Sequence, residues 1–173
     1  MRAVAARFAA GGAMLALAAA LGGAASRRVT PPVRWSDEIR YRDDAGVVRQ
    51  HGTADCGVAV VAMLLDRSGA RIDAGALWRE ARPDPRGLTL ADLMSLAGTH
   101  GIRLRHVFQH PGADRRSLAT PWIAHLAWQH YVLVEADDGT SVTVADPRAG
   151  RYTFSARAFA AAWSGHGLVR VSP

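Results

Sequence analysis

The stretch Gln50-His51-Gly52-Thr53-Ala54-Asp55-Cys56-Gly57, followed at once by Val58-Ala59-Val60-Val61-Ala62-Met63-Leu64-Leu65, decides the reading of this chain. It holds the single cysteine among 173 residues. A continuous apolar run behind a polar loop predicts a helix from about Cys56 to Arg67, stopped at Ser68-Gly69. Asp55 or Thr53 is placed to cap that helix, which sets Cys56 in its first turn. The N–H groups and dipole at a helix start favour negative charge, and therefore the thiolate, which is the nucleophilic form. Taken alone, the same cysteine reads as a small buried hydrophobe. The residues around it have to decide.

Downstream of this helix, Asp73 is placed to cap a second one through Ala81, with Leu77 and Trp78 facing inward. Pro83-Asp84-Pro85-Arg86-Gly87 is a loop, and Thr89 caps a third helix whose Leu90, Leu93, Met94 and Ala97 keep helical spacing up to Gly101. The period then changes. Leu104 to Phe108 alternates, Pro111 to Thr120 is a polar loop, and Trp122 to Trp128 is strand-like. His130 to Glu135 and Ser141 to Ala145 flank Asp137-Asp138-Gly139 as a hairpin. Ser155 caps a short helix to about Trp163, and Gly167 to Val171 closes as a strand. Helices first and antiparallel strands afterwards predict an α+β fold, with the N-terminal helices packed on a C-terminal antiparallel sheet.

The hairpin brings chemistry to the cysteine. A three-residue loop with Gly139 in the left-handed conformation pairs His130 directly across from Asp146, so that both project from one face. A two-residue loop would shift the register and separate them. The chain thus supplies a thiol, an imidazole and an orienting carboxylate, the general nucleophile–base–orienter set. Gln50, on the loop into the cysteine helix, is placed to offer amide N–H groups to an oxyanion beside the Cys56 backbone N–H.

Those motifs carry a resemblance. Gln50-x4-Asp55-Cys56-Gly57, Pro121-Trp122-Ile123-Ala124-His125, His130-Tyr131-Val132-Leu133-Val134 and Asp146-Pro147 resemble the C39 peptidases. These are papain-like cysteine peptidases known from bacteriocin-processing transporters. The resemblance runs from about Gln50 to Trp163 and implies Cys56 as nucleophile, His130 as general base, Asp146 as orienter and Gln50 in the oxyanion hole. It also implies a narrow cleft that accepts small residues such as Gly on the acyl side of the cleaved bond. In the transporters this domain precedes membrane spans and an ATPase and works on the cytoplasmic side. Here it follows an export-like segment, so the expected substrate is a secreted or surface peptide or protein.

That segment begins with Arg2 and Arg7, continues as the apolar run Phe8 to Leu21, and ends at Gly23-Ala24-Ala25, the small residues a signal peptidase reads. We expect a signal peptide over 1–25, a linker and N-terminal extension over 26–49 and a peptidase domain over 50–173. The expected location is the periplasm or the extracellular space, with no stable membrane span once the signal is removed. A lone cysteine in an oxidising compartment has no internal disulfide partner and is either buried and inert or used.

Composition excludes more than it identifies. All 21 Lys+Arg residues are Arg, a mark of coding bias, and they are scattered, with no basic stripe interleaved with aromatics. Nucleic-acid binding is therefore not expected despite a net charge of +6. No Cys or carboxylate joins His125 and His130 into a zinc set, so neither a metal nor another cofactor is expected. Trp122 and Trp128 are the candidates for lining a substrate groove. Three other readings stay open at this stage: acyl transfer through the same thioester, a non-catalytic peptide-binding module, and a surface or periplasmic protein with an inert thiol. Oligomeric state is not readable from these residues.

Overall fold

The computed structural model describes residues 46–70 and 72–171. The expected signal segment, most of the linker and a candidate strand at Ile39-Arg40-Tyr41 lie outside the described residues. Helix α1, Cys56–Arg67, is buried along its whole length from Cys56 to Leu65. A helix that is apolar all round has to be central, and α1 lies between the sheet on one side and two shorter helices on the other. Helix α2, Ala74–Ala81, is capped by Asp73, whose carboxylate accepts from Gly75 N at 2.9 Å. Helix α3, Leu90–Thr99, opens with a reciprocal capping box between Thr89 and Asp92. These caps are local sequence signals, and both helices begin where the sequence reading puts them.

The sheet has six antiparallel strands: β1 Leu104–Phe108, β2 Trp122–Leu126, β3 His130–Asp137, β4 Ser141–Asp146, β5 Gly150–Ser155 and β6 Trp163–Arg170, in the order β1-β6-β2-β3-β4-β5. Helix α4, Ala156–Ala162, capped by Ser155, connects the last two. The sheet therefore has two cores. Ile123, Leu133, Ala145 and Leu168 pack against α1 on one face. On the other, Trp122, Val132, Val134, Val144 and Trp163 pack with Phe159 of α4. Arg115 extends this second core, with its guanidinium 5.1 Å above the Phe159 ring and a buried ion pair to Asp137 at 3.0 Å.

Two elements depart from the sequence reading. β5 was not expected, because Gly150-Arg151-Tyr152-Thr153-Phe154-Ser155 follows a turn-forming Asp-Pro and alternates over too few residues to stand out. β6 begins at Trp163, four residues earlier than expected, because Ser164-Gly165-His166-Gly167 reads locally as a turn. The tertiary reason for glycine is visible at Gly167, where a Cβ would come within 2.8 Å of the Ile123 carbonyl and 2.9 Å of the Trp122 ring.

Trp122 is not a groove residue. It is fully buried in the second core, in edge contact with Trp163 at 5.4 Å and Phe159 at 6.1 Å between ring centroids. The strand-like run it opens also ends at Leu126, so His125 and His130 sit on different strands, His125 paired with Tyr131 and Leu126 with His130.

The β3–β4 register also differs from the expected one. Next to the turn, Asp137 pairs with Val142 and Ala136 with Thr143. Continued unchanged, that register would set Asp146 opposite Leu133 and point it away from the face of His130. A bulge at Glu135 resets the pairing to Val134 with Val144 and Leu133 with Ala145. The reset places Asp146 opposite Val132, diagonal to His130 and on its face. The two share a face because of the bulge, and not because they stand directly across from each other.

Trp122→Ala should lower folding stability by about 3–5 kcal/mol, as for a large aromatic removed from a packed core. Urea unfolding measures this, and a loss below about 1 kcal/mol would contradict the core assignment.

Candidate active site

The loop Gln50–Asp55 is shaped by Asp55, the residue just before Cys56. Asp55 does not cap α1: helix α1 has no side-chain cap. Its carboxylate turns back instead, accepting from His51 N at 3.1 Å, Gly52 N at 2.8 Å and Trp78 Nε1 at 2.7 Å. His51 then stacks on Trp78, with ring centroids 4.9 Å apart. At its other end the loop is tied to the sheet by Gln50 N donating to Pro147 O at 3.1 Å. Because no side chain occupies the start of α1, the first-turn N–H groups beside Cys56 are left for a ligand.

His130 is presented by the β2–β3 connection. Gln129 there takes φ 60°, a left-handed conformation unusual for a residue with a side chain, and donates its N–H to Leu126 O at 3.1 Å. His130 Nε2 lies 2.9 Å from Asp146 Oδ1, with both side chains buried. That leaves Nδ1 for the Cys56 thiol, which hydrogen-bonds the imidazole. Asp146 is saturated: Oδ1 also accepts from Arg148 N at 2.7 Å and Ala149 N at 3.2 Å, and Tyr152 OH donates to Oδ2 at 3.2 Å. Burial alone would raise this carboxyl, yet the His130 hydrogen bond and charge and the backbone donors hold it below the usual carboxylate range. On His130, burial disfavours the proton, but hydrogen bonds to Asp146 and Cys56 and their charges outweigh it and push the imidazole up to about 9.

The site opens on a cleft of about 370 Å³. Cys56, Trp128, Gln129, His130 and Tyr131 line one part, and Thr53, Ala54, Pro85, Arg86, Gly87, Leu88 and Arg148 the rest. The Pro85–Leu88 wall is pressed against the cysteine loop by Gly87, at φ 85°, whose Cβ would meet Ala54 O at 2.8 Å. Tyr131 remains a neutral phenol, because burial and the neighbouring Cys56 and Asp92 charges push it up to about 12. A larger cavity of about 590 Å³ beside Arg115 and Arg157 is lined by no Cys, Ser or His.

The structure therefore brings Cys56, His130 and Asp146 together and puts Trp128 in the cleft. Gln50 lies next to the Asp146-Pro147 turn and outside the cleft lining, its Nε2 donating to Gly52 O and its Oε1 buried without a partner. The sequence reading missed the inward turn of Asp55, the left-handed Gln129, and Tyr131 and Arg148 as cleft residues. Only Asp55 had a local signal, and an Asp before a helix signals a cap. Among the described residues no group of three or more His, Cys, Asp or Glu side chains could hold a metal, and no helix is long and apolar enough to cross a membrane.

A sequence profile described as the Peptidase C39 family matches residues 44–172. The chain belongs to the C39 peptidase family. It is 30% identical over 113 residues to the colicin V secretion/processing ATP-binding protein CvaB of Escherichia coli, covering 65% of this chain and 16% of CvaB. It is 28% identical over 138 residues to the probable functional amyloid protease FapD of Pseudomonas aeruginosa, covering 73% of this chain and 61% of FapD. The chain thus spans a minor part of its transporter relatives and under two thirds of FapD. Among solved structures, the double glycine motif protease from an AMS/PCAT transporter, in complex with the leader peptide, superposes with a TM-score of 0.67 at 18% identity, over 79% of this chain and 94% of that one. The peptidase domain of Streptococcus ComA gives 0.64 at 23%, over 73% and 97%. The six-stranded sheet with its helices is the papain-like fold of these C39 cysteine peptidase domains, as the sequence motifs implied.

The His130 environment makes a measurable claim. Imidazole NMR should find its titration near pH 9, and Asp146→Asn should lower that midpoint by about one pH unit or more. Because the folded imidazole binds its proton more tightly than the ordinary value of 6.5, its contribution to stability is complete below that pH and disappears as pH rises through about 9. Wild-type protein should lose urea resistance across that window and His130→Gln should not. Equal slopes would refute the assignment.

Proposed function

We propose that the chain hydrolyses a peptide bond on the C-terminal side of a small residue such as Gly, in an exported or surface peptide, with Cys56, His130 and Asp146 as the catalytic set. The observation that carries this reading is the thiol hydrogen-bonded to an imidazole whose far nitrogen is fixed by a buried carboxylate, opening on a cleft. His130 holds the Cys56 proton, and the thiolate sulfur attacks the scissile carbonyl. The Cys56 N–H, at the uncapped helix start, donates to the oxyanion; Gln50, which the sequence motif implies as a second donor, would have to turn its amide from Gly52 O toward the cleft to join it. His130 passes its proton to the departing amine, leaving a thioester on Cys56. Water, deprotonated by His130, attacks the thioester and restores the thiol. Asp146 keeps Nε2–H directed away from the thiol throughout, so Nδ1 makes each transfer.

The substrate class is supported from two directions. Trp128, Tyr131 and Leu88 put bulk into the cleft lining, and a cleft narrowed by them favours substrate residues without bulk. The Escherichia coli relative is a secretion/processing protein, and the superposed protease is a double glycine motif enzyme in complex with its leader peptide. Export is supported by Arg2, Arg7 and the apolar run Phe8–Leu21.

The test is mass-spectrometric detection of cleavage in a panel of exported peptides containing Gly-Gly or Gly-Ala. Cys56→Ala and His130→Ala should each reduce kcat/KM by about 10³-fold or more, and Asp146→Asn by about 10²–10⁴-fold. Cleavage that survives Cys56→Ala, or a Cys56 that iodoacetamide labels only in denaturant, would sink the proposal.

A further inference from the structure

The β2–β3 connection sets a residue against its own backbone preference directly beside His130. Leu126 pairs with His130, so the connection is the three residues Ala127-Trp128-Gln129. A three-residue hairpin loop commonly closes with its last residue left-handed, a conformation that favours glycine. The β3–β4 tip fills its left-handed position with Gly139, at φ 82°. Here the position is held by Gln129, at φ 60°. Among the described residues the other non-glycine with positive φ is Arg82, which ends helix α2.

The turn is anchored from several directions. Ala127 N donates to Ala162 O at 2.8 Å, Gln129 N donates to Leu126 O at 3.1 Å, and Trp128 packs against the second core. The hairpin thus imposes the Gln129 backbone, at a conformational cost that glycine would avoid. Such conformations gather at active sites, where the side chain is in use. Gln129 is exposed and lines the cleft next to His130. In the proposed reaction the Cys56 sulfur keeps the acyl part, and His130 gives its proton to the departing amine. The segment that leaves with the amine therefore lies on the imidazole side of the thiol, the side that Gln129 flanks. A carboxamide carries a donor and an acceptor, the complement of a peptide main chain.

We propose that Gln129 is a substrate-binding residue whose carboxamide hydrogen-bonds the main chain of the segment that leaves with the amine. The proposal rests on the peptidase reading, and its test separates the two. Two substrates share one Gly-Gly acyl sequence: a peptide that continues beyond the cleaved bond, and an aminomethylcoumarin amide that ends there. Each is assayed with the full-length wild-type protein, Gln129→Gly and Gln129→Asn. Wild-type protein should cleave the peptide and, more slowly, the amide. Glycine suits the left-handed backbone, so the urea midpoint of Gln129→Gly should hold or rise; a fall would remove the reason for giving this side chain a role. Gln129→Gly should narrow the preference for the peptide, measured as the ratio of kcat/KM values, by about 3–10-fold, the worth of one hydrogen bond. Gln129→Asn, which keeps a shorter carboxamide, should retain part of that preference. An unchanged ratio in Gln129→Gly, or an amide that wild-type protein leaves intact while cleaving the peptide, would overturn the proposal and leave the peptidase standing. Wild-type protein that cleaves neither substrate would sink the peptidase reading and this proposal with it.

Discussion

The structure depends most on one buried carboxylate. Asp146 takes a hydrogen bond from His130 on β3, two from the backbone of the turn that follows it, and one from Tyr152 on β5. An ionised carboxylate with no exposure would be strongly disfavoured in an apolar interior, and four donors are what make the charge tolerable there. Those donors come from separate pieces of chain, so satisfying the charge also fixes where the pieces sit. The imidazole receives its tautomer and direction from this arrangement, and through Pro147 O the same turn holds Gln50 and the loop that leads to the thiol.

Asp55 does on the helical side what Asp146 does on the sheet. By binding two N–H groups of its own loop and the Trp78 indole, it forgoes the cap of α1, a contact worth about 1 kcal/mol in an ordinary helix. The uncapped first turn keeps its N–H donors open beside Cys56 at the mouth of the cleft. Cys56 is therefore set at the start of a helix buried from Cys56 to Leu65, with only that first residue lining the cleft.

What could be read in the sequence follows from how local each signal is. Helices α1, α2 and α3 were legible because Asp73, Thr89 and the run Val58–Leu65 act within a few residues of themselves. Cys56, His130 and Asp146 were legible as a candidate set, and the fold brings them together. The role of Trp122 was not, because a tryptophan in a strand has no local mark separating a core from a groove, and the second core exists only once α4 folds back over the sheet. Gln129 in a left-handed conformation and Asp55 turned away from its helix are tertiary outcomes that run against local preference. Asp55 directly precedes Cys56 and Gln129 directly precedes His130, at the mouth of the cleft where such conflicts are expected.

The extra residue at Glu135 acts on the β3–β4 ladder as a compensating insertion acts on a reading frame. The turn sets one frame, and everything beyond the bulge is read in the other. Arg67 and Arg151 both grip the Glu135 carboxylate, at 2.7 Å and 2.6 Å, pinning the irregularity in place. The length of the hairpin tip and the facing of the histidine are thus two halves of one parity condition. A related chain can gain or lose a single residue at the tip and keep its histidine–carboxylate pair, provided that it also drops the bulge.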